Sequence, residues 1–135
     1  PDCAMINGVR VDKIDSKWIS AKQLSTEEVA SVANPTEQTA LAQSQFKFNM
    51  SMDLDNDAIV ENFYVGVFKT KNAKGRFLII EKNNKIVMTF QREGTAGFSA
   101  LLKYKDELRW YKCMQCGDYE KIVAIKGSYL LMEGE

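Results

Sequence analysis

From Phe46 onward, apolar and polar residues alternate with a period of two: Phe46, Phe48, Met50 and Met52 interleave with Lys47, Asn49 and Ser51. This is the pattern of a half-buried strand, whose side chains point in turn to core and solvent. Similar runs follow at 63–70, 76–82, 85–92, 101–105, 108–113, 119–126 and 129–132. Turn residues separate them at 72–75, 83–84, 106–107 and 127–128. Short strands with tight turns at this spacing predict an antiparallel meander.

The N-terminal third reads differently. Met5 to Ile14 forms two short extended runs around Asn7-Gly8, a dipeptide suited to a hairpin turn. Ser25 and Glu28 have capping-box spacing, with Leu24 and Val29 as the flanking hydrophobic staple. Asn34-Pro35 closes that helix and opens a second one, with Asn34 as cap, Pro35 in the first helical position and Glu37 three residues after the cap. This second helix should run to about Ser44 and lie at the surface, because Ala40, Leu41 and Ala42 make only a thin apolar face. The predicted fold class is α+β: mainly an antiparallel β meander of about seven to eight strands, with one or two short N-terminal helices.

Length and an apolar share of 45% suit one domain over residues 1–135. The longest apolar runs, Phe77 to Ile80 and Leu130 to Met132, are far too short to cross a bilayer, and no charged-then-apolar leader opens the chain. A start at Pro1 without Met suits a processed, exported protein. The net charge is zero, which argues against nucleic-acid binding, although residues 1–68 carry 10 acids and 5 bases and residues 69–135 carry 8 acids and 13 bases. The bases of the second half, including Lys69, Lys71, Lys74, Arg76, Lys82 and Lys85, read as the solvated face and edges of a sheet.

Histidine is absent from the chain. Ser/His/Asp and Cys/His catalytic arrangements are thereby excluded, as are histidine-bearing zinc sites.

The segment Asp53-Leu-Asp-Asn-Asp-Ala-Ile-Val-Glu61 places carboxylates at relative positions 1, 3, 5 and 9. Anions this close repel one another unless water screens them or a hard cation binds them, and oxygen ligands suit Ca²⁺. Flanked by two predicted strands, the segment resembles the calcium loop of FG-GAP repeats, the blades of integrin-type β-propellers, over residues 46–68. That resemblance implies side-chain ligands from Asp53, Asp55, Asp57 and Glu61 and a carbonyl ligand from Ile59. Two departures stand out: Ala58 occupies the usual glycine position, and the last acid is Glu61 where the repeat has Asp. An EF-hand fits less well, since its sixth and twelfth positions hold Ala58 and Tyr64. A solvated acidic turn is the alternative reading.

Cys113-Met-Gln-Cys116 lies between two predicted strands, with Cys3 apart near the N-terminus. A redox pair would need the motif to open a helix, and zinc would lack a fourth ligand. A Cys113–Cys116 disulfide clamping the turn is the expectation, which implies an oxidising compartment such as the periplasm or the extracellular space. Two reduced thiols in a cytosolic protein without metal are the alternative. Gly94-Thr-Ala-Gly97 lacks the Gly-Lys-Ser/Thr ending of a phosphate loop and reads as a connection. Phe98, Tyr104, Trp110, Tyr111 and Tyr119 read mostly as core or cross-strand pairs, their exposed half being the candidate surface for another protein. Together these features suggest a non-catalytic exported binding or inhibitor-like module with a structural calcium loop. The competing reading is an enzyme, either a thiol redox protein using Cys113 and Cys116 or a carboxylate hydrolase using Asp53 to Glu61.

Overall fold

The computed structural model describes residues 5–6, 8–32, 34–43, 45–94, 98–113 and 118–134. Along the chain the elements are β1 (Met5–Ile6), β2 (Val9–Arg10), α1 (Val11–Ile14), β3 (Trp18–Gln23), α2 (Thr26–Val32), α3 (Pro35–Gln43), β4 (Asn49–Met52), β5 (Glu61–Thr70), β6 (Lys74–Lys82), β7 (Lys85–Glu93), β8 (Ala100–Tyr104), β9 (Glu107–Tyr111), β10 (Tyr119–Ile125) and β11 (Ser128–Gly134). The class is α+β and mostly antiparallel sheet, as the alternation predicts. The described residues hold 11 strands in three sheets, above the seven to eight expected. The excess comes from the two-residue β1–β2 ladder and from β3. In β3, Trp18 and Ala21 are buried at an irregular spacing, because the pairing with β5 shifts register between Trp18 and Ser20.

Both predicted helix starts are capped. The Glu28 backbone N–H donates to Ser25 Oγ at 3.2 Å. At the second start, the Glu37 N–H donates to Asn34 Oδ1 at 2.8 Å and the Asn34 N–H to Glu37 Oε1 at 3.0 Å, a reciprocal box that satisfies two otherwise orphaned donors. Leu41 is the one buried residue of α3, in keeping with its thin apolar face.

One sheet runs β3-β5-β6-β7, with β4 beside the first half of β5 and β3 beside the second. The other is the meander β11-β10-β9-β8. Reciprocal backbone bonds between Lys47 and Leu101, at 2.8 and 2.7 Å, join them just ahead of β4. Between the sheets lies the main core, with Phe63, Val65, Leu78 and Ile80 from one side and Leu101, Leu108, Trp110 and Ile122 from the other. The opposite face of β5 and β6 is buried too: Tyr64, Phe68, Phe77 and Ile79 pack with Ile6, Val11, Trp18 and Ala21 of the N-terminal segment. Burial on both faces explains why Phe77 to Ile80 is uninterruptedly apolar, where a one-sided strand would alternate.

Two-residue turns with positive φ at Asn83 and Asn84 and at Lys126 and Gly127 close the hairpins. The second begins one residue ahead of the predicted 127–128. Asn7 of the predicted first turn, Ser44 at the expected helix end and Thr95 to Gly97 of the glycine-bounded connection lie outside the described residues. Among the described residues, no helix is long and apolar enough to cross a membrane.

Candidate functional site

The acidic segment forms the connection from β4 to β5, on strands held in register by Met52 opposite Glu61. One carboxylate oxygen from each of Asp53, Asp55, Asp57 and Glu61 lies within 4.8 Å of the others. Ligands on opposite sides of a Ca²⁺ ion, each 2.3–2.6 Å from it, would be about 5 Å apart, so the four oxygens converge to the span of one coordination sphere.

The loop's own backbone shapes this cluster. Asp53 Oδ1 accepts from the Asp57 N–H at 3.1 Å and Oδ2 from the Ala58 N–H at 2.8 Å, while Asp57 Oδ1 accepts from the Ile59 N–H at 2.9 Å. Such bonds need a tightly curled chain, and Asn56 and Ala58 supply it at φ values of 63° and 70°. Asparagine tolerates that region; alanine pays about 1–2 kcal/mol. Ile59 is exposed.

Glu61 is the anchor. It is fully buried, its Oε1 accepts the Leu54 N–H at 2.9 Å, and its Oε2 accepts the Tyr129 hydroxyl at 2.7 Å. Tyr129 reaches across from β11, and its burial, together with the Glu61 carboxylate, pushes the phenol pKa well above its usual range. Leu54 packs against the main core, so the loop is tied to the interior at both ends.

Lys82 changes the electrostatics. Its Nζ donates to Asp55 Oδ2 at 2.6 Å and also to Asp57 Oδ2. These bonds, Asp55 first, raise the lysine pKa, and the Lys82 bond is the chief cause that lowers Asp57 from an ordinary 3.8 to about 2. The expectation that Lys82 belongs to a solvated sheet face is thereby corrected. So is the same expectation for Arg76, whose guanidinium pairs with Glu120 at 3.2 Å. In both cases the basic side chain folds back onto an acid from a neighbouring segment.

One ammonium against four carboxylates still leaves three negative charges. Unit charges about 4 Å apart repel by about 4 kcal/mol at an effective dielectric of 20, so the surplus invites a further cation. Asp55 Oδ1 is buried and accepts no hydrogen bond from the described residues.

Sequence reasoning gathered the four acids correctly and missed Lys82 and Tyr129. Lys82 was within reach, since the β5–β6 ladder places it directly opposite Glu61. Tyr129 carries no local signal, being 68 residues from its partner.

Cys113 follows β9, whereas Cys116 and Cys3 lie outside the described residues. Of the aromatic group, Trp110 and Tyr111 are buried, while Tyr104 is 49% exposed. The Arg109 guanidinium lies 4.4 Å from the Tyr104 ring centre and 4.2 Å from that of Tyr119. No protein-family model, curated protein or solved structure matches this chain.

Proposed function

We propose that the protein is a non-catalytic, exported binding or inhibitor-like module whose Asp53–Glu61 loop holds a structural Ca²⁺. The observation that carries this reading is the convergence of four carboxylate oxygens within 4.8 Å on one turn. Asp53, Asp55, Asp57 and Glu61 would supply side-chain oxygens and Ile59 its carbonyl. Such an ion would tie the β4–β5 connection to the core through Glu61 and Tyr129, a stabilising role with no chemistry of its own. The lack of histidine supports the non-catalytic part of the proposal. A Cys113–Cys116 bridge belongs to the same picture, resting on the close spacing of the two cysteines in the sequence. Calcium at millimolar levels and an oxidising environment both suit the periplasm or the extracellular space.

One specific contact favours a second reading. Lys82 bridges Asp55 and Asp57 and could serve as the loop's permanent counterion, with no metal bound. Thermal unfolding in calcium and then in chelator separates the two. Calcium at 100 times its dissociation constant should add about 2.7 kcal/mol and raise the midpoint by several degrees. Lys82→Gln should then bind calcium more tightly than the parent, because no ammonium has to be displaced. An unchanged midpoint in the parent, with Lys82→Gln simply less stable, would establish Lys82 as the sole counterion.

A further inference from the structure

Strand β11 is an outer strand of its sheet: its ladder with β10 is unbroken over all 7 residues, and its other edge pairs with no strand among the described residues. The Ile125–Ser128 pair closes the two-residue turn at Lys126 and Gly127, which makes it a hydrogen-bonded pair. Bonded and unbonded pairs alternate along an antiparallel ladder. Leu130, Met132 and Gly134 therefore also bond to β10, whereas Tyr129, Leu131 and Glu133 turn their backbone N–H and C=O groups outward.

A free edge is a template for another strand, and sheets ordinarily guard it with charge, brevity, a bulge or a cover. The other outer strands described here are guarded. Charged Lys85, Arg92 and Glu93 flank β7, a register shift breaks β3, β4 is 4 residues long, and Lys47 bridges to Leu101 on β8. By contrast, β11 contains no lysine, arginine or proline. Tyr129 and Leu131 pack toward the main core, while Leu130 and Met132 on the opposite face are 38% and 48% exposed.

We propose that β11 pairs antiparallel with β11 of a second copy of this chain, about a two-fold axis at Leu131, so that two meanders join into one continuous sheet. The register follows from the edge itself. The outward backbone groups lie symmetrically about Leu131, so Leu131 meets its own counterpart and Tyr129 meets Glu133, each pair exchanging both backbone bonds. Leu130 then faces Met132 across an unbonded pair, where side chains come closest, and the exposed apolar residues of the two copies cover one another. Neighbouring registers are worse. An axis at Glu133 sets that carboxylate against itself, and an axis at Tyr129 draws Lys126 and Gly127, at positive φ in the turn, into the ladder. This self-complementarity favours a second copy over an unrelated peptide. The contact is isologous and uses each β11 once, so it closes at two copies.

Sedimentation velocity of the full chain between about 10 µM and 1 mM, a range suited to a small interface, should show the mass rising toward twice that of one chain. Over the same range, amide exchange at Tyr129, Leu131 and Glu133 should slow with concentration, and that at Leu130 and Met132 should change far less. Met132→Lys and Leu130→Glu should each weaken the dimer about tenfold or more. Mixing these two variants should restore pairing, because the introduced carboxylate faces the introduced ammonium in this register. A single-chain mass at every concentration would overturn the proposal, as would growth beyond two copies or a dimer whose β11 exchange ignores concentration. Mixed variants that stay apart would overturn the register. Exchange in the parent protein requires no substitution, so it decides the matter even where a variant fails to fold.

Discussion

Lys82 is a lysine whose surroundings reverse its expected behaviour. Its ammonium lowers the pKa of Asp57 from 3.8 to about 2, so Asp57 holds a proton less readily in the folded chain than in the unfolded one. A depressed carboxylate contributes stability that is fully present above its unfolded pKa and lost as the pH falls through its folded value. Acid titration of unfolding should therefore show stability draining away between about pH 4 and pH 2, and Asp57→Asn should flatten that part of the curve. A parent and variant with parallel acid limbs would refute the coupling. The backbone at Ala58 gives a second expectation of this kind. At φ 70° an alanine bears strain that glycine lacks, offset in part by glycine's greater chain entropy. Ala58→Gly should stabilise the protein by roughly 0.5–1 kcal/mol in chemical denaturation, because the curl of the loop is kept while the strain of a side chain at positive φ is removed.

Strands β5 and β6 are the elements on which everything else rests. Their odd and even residues face two separate cores, so neither strand has a solvent side over its middle. Gly66 shows how close the neighbours come: a Cβ there would overlap the Lys22 carbonyl on β3 and the Phe77 ring on β6. Gly66→Ala must push apart either a backbone ladder or a packed aromatic, and it should cost about 3 kcal/mol or more, measured by urea unfolding. A cost near zero would mean that β3 is far looser than its pairing implies. Element boundaries were legible where local chemistry sets them. Asn34, Pro35 and Glu37 carry the start of α3 within four residues, and paired asparagines at 83 and 84 carry a hairpin. By contrast, β3 was unreadable, because its burial pattern is broken by a register shift that its partner strand imposes.

The two sheets close over one core through the Lys47–Leu101 bridge, and the N-terminal segment seals the outer face of the larger sheet. Native-state hydrogen exchange should reflect this layering. Amides at the middle of β6, paired on both edges and buried on both faces, should exchange last, and those of the outer strand β11 well before them. Exchange of β6 and β11 at the same rate would indicate one all-or-none opening without a protected centre. The chain order of strands, the helix starts and the gathering of four acids beside one turn were written in neighbouring residues, because alternation, capping and turn chemistry act over a few positions. The partners of those acids were not. Lys82 reaches the loop through the β5–β6 register and Tyr129 through the packing of one sheet on the other, and the Arg76–Glu120–Arg92 cluster exists only where the sheets face each other. Local pattern decides which way a side chain points along its own element, whereas the charge or hydrogen bond it meets there depends on contacts distant in the chain, and those are made only when the sheets pack together.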